Sequence, residues 1–532
     1  MATADVRTLE RAFDAAHTDG SAAVALTELS NAWPQLVGTA GSRIRQLLDS
    51  APPELWHNDP WLVTCYAASF RSIEATNRSA ALPYFEAALA LLSPTTPPLV
   101  RATHHVHHAA ALRSLGRLDD ALASVTTASS IVESPDVIPL AKRIPLTAEI
   151  ALHRGAIFLH GGDFDRAKAD YRLAGSLAET NLSVADQLDV FGGLALIQFL
   201  LGDFEHALSY LSRAESTGAS PALRSSRFNA PALLTQLLIA VNQRGADVAE
   251  GKIANVQSAI VETDWEPLGL YAQAFVEVFS GKPHEGLDLL RSSLHALDEW
   301  QPVGFVGTEI GGLRAAAFVQ LGDPGAAWDV LAQLAPTQHH TVCPNRLVAH
   351  LRFVTGDYRG TIEALRDCET LGDSHSSRTL ADVFLIKAAA NFCLGNVETS
   401  DVTFDRSLRL AARNSLLSPF RLVPSETVQS MLTRAATRSQ PLEVGALVKR
   451  LDGLTVTLRR QDSLSLSDRE RAIARELVRG SSSAQIAEDL YISVNTVKSH
   501  LKNVYRKLGV TSRTEAIHKS RELGLQVEIT RD

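Results

Sequence analysis

Hydrophobic residues in the first 410 positions recur at helical spacing and are interrupted by glycine at a nearly regular interval. Each copy of the pattern has an apolar helix end, a glycine beside a polar residue, and a second helix that opens with a hydrophobic residue and a small one. The steps between the glycines run from 34 to 46 residues. This period predicts an α-solenoid of helix-turn-helix hairpins. The turn glycines are Gly116, Gly162, Gly202, Gly245, Gly281, Gly322, Gly356 and Gly395.

The copy QFLLGDFEHALSYL, residues 198–211, shows how one repeat is built. Gly202 ends the first helix in the left-handed conformation that glycine adopts without steric cost. Asp203 is then expected to cap the next helix. The stripe of this second helix that the spacing predicts to be buried is Phe204, Ala207, Leu208 and Leu211.

The repeat pattern stops after about residue 410, where prolines become frequent. Two further helices are predicted, Ser425–Ala436 and Leu442–Leu451, and the polar stretch 459–465 is expected to be a tether. We therefore divide the chain into a helical repeat domain (1–412), a helical connector and linker (413–462) and a terminal domain (463–532).

The terminal domain shows four short amphipathic segments with clear capping signals. Ser467 with Glu470 forms a capping box for the first helix, which Gly480 ends. The second helix covers about 483–490. The third covers about 494–508 after Ser493 as its cap, and Gly509 terminates it. The fourth covers about 513–524. The side chains expected to face the core are Ile473, Leu477, Ile486, Ala487, Leu490, Val497, Leu501, Val504 and Leu508.

The third segment is the one that points to nucleic acid. Opposite its apolar stripe it presents Asn495, Lys498, Ser499 and Lys502 within its first turns. A recognition helix enters the major groove of DNA with its N-terminal residues at the base edges. Seven basic residues and one acidic residue lie between positions 491 and 521.

The strings SxxxIAxxLYIS, TVKSHLKNVYRKL and TSRTEA, at correct distances from one another, resemble the LuxR-type (GerE-type) helix-turn-helix over essentially the whole terminal domain. The resemblance implies a four-helix reader that docks as a homodimer on an inverted-repeat operator in double-stranded DNA. It implies base contacts from Asn495, Lys498, Ser499 and Lys502. It implies phosphate contacts from Ser483, Ala484, Gln485, Thr496, Arg506, Lys507 and Arg513, and a dimer contact near Glu515, Ala516 and Ile517.

The hairpin strings resemble tetratricopeptide repeats with a longer and less regular period. Large LuxR-type regulators of the MalT-like kind join an NTPase, a helical repeat array and this reader. The chain looks like the latter two parts, because it contains no GxxxxGK[ST]. The expected fold is therefore all-α, a tetratricopeptide-like α-solenoid followed by a small four-helix domain.

Charge supports this division. The whole chain carries −8, but residues 463–532 hold 12 Lys and Arg against 9 Asp and Glu. An acidic body with a basic terminal segment is expected when only that segment touches phosphates. Charged residues near the N-terminus argue against a signal peptide, and the longest apolar stretch is too short to span a bilayer. We expect a cytoplasmic protein with no membrane contact.

No metal site, cofactor or catalytic residue is predicted. The four cysteines lack CxxC spacing. The run His104–His108 places two histidines on one helix face, but no further ligand is close in sequence, so we interpret it as polar residues of a repeat helix. The segment His339–Cys343 is flanked by proline and is expected to be an exposed loop.

The expected function is a one-component transcription regulator, and specifically an activator that contacts RNA polymerase. Its acidic solenoid would offer a concave groove to an unknown small-molecule, peptide or protein effector. The alternative is an interaction scaffold or anti-regulator in which DNA binding is secondary. The two hypotheses share one fold and differ in whether specific DNA binding depends on the recognition helix.

Overall fold

The computed structural model describes residues 22–73, 78–134, 138–298, 305–321, 323–370, 374–451, 466, 468–490, 492–508 and 510–522. Within these ranges the regular structure is entirely helical, which confirms the predicted all-α class. Gly322, the tether 459–465, Ser467, Gly509 and the end of the fourth terminal helix lie outside the described residues.

The helices fall into a long array and a short terminal group. Their bounds are α1 Ala22–Leu36, α2 Gly41–Ser50, α3 Pro60–Ala68, α4 Leu82–Leu91, α5 Pro98–Ser114, α6 Leu118–Glu133, α7 Leu140–Gly161, α8 Phe164–Asn181, α9 Val184–Leu200, α10 Phe204–Ser216, α11 Pro221–Arg224, α12 Ala230–Arg244, α13 Ala246–Ile260, α14 Glu266–Phe279, α15 Pro283–Asp298, α16 Phe305–Gln320, α17 Pro324–Leu331, α18 Pro344–Val354, α19 Tyr358–Ala364, α20 Arg366–Thr370, α21 Ser377–Cys393, α22 Val397–Arg413, α23 Ser425–Ala436, α24 442–451, α25 Asp468–Arg479, α26 Ser483–Asp489, α27 Val494–Leu508 and α28 Arg513–Glu522.

Consecutive helices of the array pack as hairpins, and the hairpins stack side by side. The pairs in contact are α5 with α6, α7 with α8, α9 with α10, α12 with α13, α14 with α15, α16 with α17, α18 with α19 and α21 with α22. The first helix of each pair also packs on the first helix of the next pair. This is the tetratricopeptide-like solenoid that the repeated glycine pattern predicts.

The turn glycines behave as the repeat pattern requires. Each one that lies within the described residues has a positive φ, for example +83° at Gly202. The Asp203 side chain accepts a hydrogen bond from the His206 amide and caps α10. A Cβ at Gly202 would also lie 2.9 Å from the Ser377 backbone nitrogen, so this turn has no room for a side chain.

One side chain of this repeat was placed wrongly. Leu208 was expected in the buried stripe of α10, but it is 47% exposed. The helix buries Phe204, Ala207, Leu211 and Ala214 instead. These positions form a narrower stripe at i, i+3, i+7 and i+10, because the second helix of the hairpin packs mainly along one line of contact.

The array is wound so tightly that distant hairpins touch. Helix α16 contacts α7, four hairpins earlier, and Phe164 and Phe305 pack with ring centroids 5.3 Å apart. In the next hairpin after α7 and α8, the Gly202 carbonyl accepts hydrogen bonds from Ser377 Oγ (2.8 Å) and Asn414 Nδ2 (2.9 Å). The hairpin turns are therefore where successive coils of the superhelix meet.

The helices predicted after the repeats continue this packing. Helix α23 begins and ends at the predicted residues, and it packs on α21 and α22. Val444, Leu447 and Leu451 of α24 belong to the same hydrophobic core. Arg450 Nη2 donates to the Gln243 carbonyl at 2.8 Å, which ties α24 to the end of α12. No helix in the described part of the chain is both long and apolar enough to cross a membrane.

Several charged side chains of the array are buried in contact with one another. Asp264, 3% exposed, contacts the guanidinium of Arg113 and lies within 3.5 Å of His160 and Arg227. A second set joins Glu309 to Tyr271 (2.8 Å) and Arg378 (3.7 Å), and a third joins Arg346 to Asp382 (3.1 Å). We call these groups the polar axis.

The polar axis borders a small cavity. The cavity bounded by Tyr271, Glu309, Arg346, Arg378 and Asp382 holds about 80 Å³. That volume admits a few water molecules and no effector. The concave groove for an effector stays a prediction.

The histidine run on α5 is part of this interior. His104 is fully buried, its Nδ1 lies 3.1 Å from Thr64 Oγ1, and His107 is 8% exposed. Burial lowers the pKa of both imidazoles to about 3 and that of His108 to about 4, with neighbouring charges adding to the effect. The run therefore supplies neutral, packed side chains to the core.

We expect Asp264→Asn to lower the free energy of unfolding by about 3–5 kcal/mol, since it removes one partner of a buried ion pair. Chemical denaturation followed by circular dichroism would measure the loss. Asp288→Asn is the matched control, because Asp288 pairs with Arg291 on the surface, where both side chains are at least 70% exposed. That change should cost below about 1 kcal/mol. Equal losses in the two variants would contradict a stabilising polar axis.

Acid should destabilise the protein through its buried histidines. An unfolded chain binds protons on imidazole near pH 6.5, whereas native His107 does so only near pH 3. Between these values the unfolded state binds more protons, so stability is present above pH 6.5 and is lost as the pH falls. Burial raises the pKa of Glu149 to about 8, which acts in the opposite sense.

The contribution of one histidine can be separated with His107→Asn. We expect this variant to show a shallower decrease in unfolding free energy between pH 7.5 and 5 than the parent chain, by roughly 1.4 kcal/mol per pH unit at most. Urea midpoints at several pH values give the slopes. Parallel slopes in the two proteins would contradict the assignment.

Candidate nucleic-acid interface

The terminal helices form a small core of their own. Ile473, Leu477, Ile486, Val497 and Val504 are fully buried in it. Helix α25 packs on α27 and α28, and α26 packs on α27. All the residues predicted to face this core lie in it or against it. The core fixes which face of α27 is turned outward.

The outward face of α27 carries the predicted base-reading residues. Asn495, Lys498, Ser499 and Lys502 are all exposed, opposite Val497, Leu501 and Val504. The helix begins and ends at the predicted residues. Ser493 Oγ accepts from the Thr496 amide at 3.1 Å and so caps the helix at the end that bears these side chains. The structure thus brings the four residues together on one solvent-facing surface, which we call the α27 face.

Helix α26 starts with a capping box that our sequence analysis missed. Ser482 Oγ accepts from the Gln485 amide (3.3 Å), and Gln485 Oε1 accepts from the Ser482 amide (2.7 Å). The signal was present as serine followed three residues later by glutamine. Of the three residues predicted to offer amides to phosphate, Ser483 is half-buried and Ala484 and Gln485 are exposed, and the Gln485 amide is already bonded within the box.

The remaining residues predicted to contact phosphate differ in their exposure and in their hydrogen bonds within the domain. Arg506 is exposed. Lys507 Nζ bonds the buried carboxylate of Glu470 at 2.7 Å. Arg513 donates to the Ser481 carbonyl next to α26, and Thr496 Oγ1 lies 2.8 Å from Ser493 Oγ. Lys507 and Arg513 therefore hold the helices of the domain together, and Arg506 is the cation whose side chain reaches solvent.

The predicted dimer contacts need one correction. Ala516 is fully buried in the core of its own domain, so it has no side-chain surface for a second copy. Ile517 is half-buried and packs against the same core. Glu515 is exposed. Hydrogen bonds from the Thr511 amide (2.9 Å) and from Ser512 hold the pKa of its carboxyl below the usual range. Among residues 513–520 of α28, the exposed positions are Thr514, Glu515, His518 and Lys519.

Comparison with known sequences agrees with this geometry. Residues 464–520 match the family described as bacterial regulatory proteins, luxR family. The terminal domain is a LuxR-type helix-turn-helix. Over 56 residues this chain is 45% identical to the CsgBAC operon transcriptional regulatory protein of Escherichia coli. The match covers 10% of this chain and 26% of that protein. Over 58 residues it is 38% identical to the HTH-type transcriptional regulator MalT of Serratia proteamaculans, covering 11% of this chain and 6% of that one.

A longer match joins the LuxR-type domain to the transcriptional regulatory protein YdfI of Bacillus subtilis. It shows 32% identity over 120 residues, 22% of this chain and 54% of that protein. The chain thus spans about a quarter to a half of the first curated relatives it matches. The solved APC/C hetero-tetramer Cut9-Hcn1 aligns over 83% of this chain and 95% of its own at 12% identity, and its TM-score of 0.28 is too low to carry an argument.

The segment His339–Cys343 departs from its predicted exposed loop. Thr341, Val342 and Cys343 are at most 4% exposed. His340, Cys343 and the buried His375 each place one potential metal-ligand atom within 4.8 Å of the others. These three residues could hold a metal ion, and the sequence analysis did not bring them together. The spacing of 32 residues between Cys343 and His375 gives no local signal, because the fold of the array alone joins them.

We expect Lys507→Ala to loosen the terminal domain, since Glu470 loses its ammonium partner in a buried site. Hydrogen–deuterium exchange of peptides from α25 and α27 should become faster. Arg506→Ala is the matched control from the adjacent position, and its exposed side chain should leave the exchange unchanged. Equal exchange in both variants would show that the contact between Lys507 and Glu470 does not hold these helices.

Proposed function

We propose that this protein is a sequence-specific, DNA-binding transcription regulator, with the LuxR-type domain as its reader. The observation that carries the proposal is the α27 face, where Asn495, Lys498, Ser499 and Lys502 are exposed together. Amide and ammonium groups at this spacing can hydrogen-bond base edges in the major groove. The relatives whose printed names describe transcriptional regulators match this same domain, which supports the assignment.

We further propose a role for each group around the α27 face. The amides of Ser483 and Ala484, the Thr496 hydroxyl and the exposed Arg506 would contact the phosphate backbone, which sets register and gives most of the affinity. Lys507 and Arg513 would support these contacts from within the domain. A second copy would meet this one through the exposed side of α28, so that two readers bind an inverted repeat.

The array is proposed to regulate the reader. Activation through contact with RNA polymerase is the outcome that the LuxR resemblance favours. An effector would act on the surface of the array or on the contacts between its coils. The recess of about 380 Å³ lined by Arg172, Glu179, Tyr210 and Arg213 has a size that suits a small polar molecule.

The first experiment is enrichment of sheared genomic DNA from the encoding organism at near-physiological salt. Wild type should enrich a short inverted repeat upstream of genes, and Lys498→Ala/Lys502→Ala should lose that enrichment. Each lost base contact is worth about 1–3 kcal/mol, or roughly 5-fold to 150-fold in affinity. The control Arg475→Ala/Lys449→Ala removes two exposed positive charges away from the α27 face and should behave as wild type.

The outcomes separate the two hypotheses. Normal enrichment by the Lys498→Ala/Lys502→Ala variant would overturn the assignment of the α27 face. If wild type enriches no sequence, the segment from residue 463 onward is run in the same way to remove any inhibition by the array. Failure of that segment too would favour an interaction scaffold in which DNA binding is secondary.

A further inference from the structure

Two cysteines and two histidines converge between the hairpins near the end of the array. His340 closes the turn Gln338–His340, and Cys343 precedes the first residue of α18. Cys368 lies in α20 and His375 lies two residues before α21. Cys343 and Cys368 are at most 1% exposed, and His375 is 5% exposed. The side chains come from three separate segments of the chain, so the fold itself assembles them.

Three of these side chains approach one another closely, and the fourth lies beside one of them. One ligand atom each of His340, Cys343 and His375 lies within 4.8 Å of the others. Cys343 Sγ and Cys368 Sγ are 3.6 Å apart. With metal–sulfur and metal–nitrogen bonds of about 2.3 and 2.0 Å, tetrahedral zinc ligands stand roughly 3.3–3.8 Å from one another. The two sulfur atoms already have this separation, and the imidazoles must move closer to Cys368 for all four side chains to bind one ion.

The histidines have buried nitrogen atoms that nothing in the protein satisfies. Both ring nitrogens of His375 and Nδ1 of His340 are buried and have no hydrogen-bond partner. Their rings are packed together with centroids 4.4 Å apart. Buried polar atoms are nearly always paired, so an unpaired imidazole aimed at two thiols indicates a missing ligand.

The backbone at this turn is also held in an unusual conformation. His339 and His340 have φ values of +53° and +43°, a region that residues other than glycine rarely adopt. Such conformations persist where the surroundings require them and cluster at functional sites. Here the conformation carries the imidazole of His340 toward Cys343.

We propose that His340, Cys343, Cys368 and His375 bind one Zn²⁺ ion. Two thiolates and two neutral imidazoles would give a neutral complex, as a buried site requires. Tetrahedral coordination by two sulfur and two nitrogen atoms is typical of zinc.

The site has four protein ligands and no open position, so its role is structural. The same turn reaches the previous coil of the superhelix. Gln338 accepts from the Phe164 amide and donates to Asp165 at 2.9 Å, and His339 Nε2 lies 3.0 Å from Asp165 Oδ1. The metal would therefore fix the turn through which α18 and its neighbours hold the start of α8.

The test is metal analysis of the full-length protein purified from zinc-supplemented cells. We expect one zinc per chain after dialysis in wild type, and at least a tenfold loss in Cys343→Ser and His375→Gln. Cys65→Ser, a buried thiol elsewhere, and His339→Gln, the neighbouring histidine, should keep the metal. Cobalt substitution of wild type should give thiolate-to-metal charge-transfer bands and the intense visible bands of tetrahedral cobalt. Cys343→Ser and His375→Gln should lack these bands.

A second measurement serves if the ligand variants fail to fold. Wild type is stripped of metal with a chelator and titrated with Zn²⁺ against a chromogenic competitor. We expect a dissociation constant on the order of nanomolar or lower, as for structural sites of this kind. Zinc should slow hydrogen–deuterium exchange both in residues 338–345 and in residues 160–168, across the coil contact.

Three outcomes would overturn the proposal. These are a wild-type chain that takes up no zinc, zinc retained at full stoichiometry by Cys343→Ser and His375→Gln, and a disulfide between Cys343 and Cys368 in the protein isolated under non-reducing conditions with no bound metal. The last would identify the cluster as a thiol pair, whose sulfur atoms would approach to about 2.05 Å on bonding.

Discussion

The burial of charge along the polar axis is the constraint on which the array depends. Asp264 is enclosed by Arg113, His160 and Arg227, which come from hairpins up to 150 residues away in sequence. Removing such groups from water is costly unless every partner is in place, so the ion pairs are compatible with one winding of the superhelix and with few others. Apolar contacts between neighbouring hairpins would tolerate many curvatures. The polar axis selects one, and the tight coil follows.

The turns, caps and helix ends could be predicted because interactions between adjacent residues determine them. The positive φ of Gly202, the cap at Asp203 and the exact bounds of α23 and α27 depend on a few adjacent residues. The α27 face was predictable for the same reason, since helical periodicity separates Lys498 and Lys502 from Val497 and Leu501. Leu208 was misplaced because periodicity alone does not say how wide a stripe the neighbouring helix covers.

The rest could not be read from the sequence because it arises from contacts between distant residues. The hydrogen bond from Asn414 to Gly202 spans 212 positions, and no local sequence pattern near either residue predicts it. The LuxR resemblance implied a dimer contact near Ala516, yet this residue lies in the core to which α25 and α27 contribute. Cys343 and His375 have no motif spacing, so only the stacking of α18 and α21 brings them together. In each case the decisive partner lies on another hairpin or helix.

The contacts between coils of the array also include its last helix, α24. Leu451 is fully buried in the main core, and Arg450 is bonded to the end of α12, one coil earlier. Any change that separates the coils must therefore disturb α24, the last described helix before the terminal domain. The turn Gln338–His340 is part of the same coil-to-coil contact surface. Under the proposed function, a ligand, a metal ion or a partner that shifts the contact between two coils would act on α24 without the need for a wide pocket.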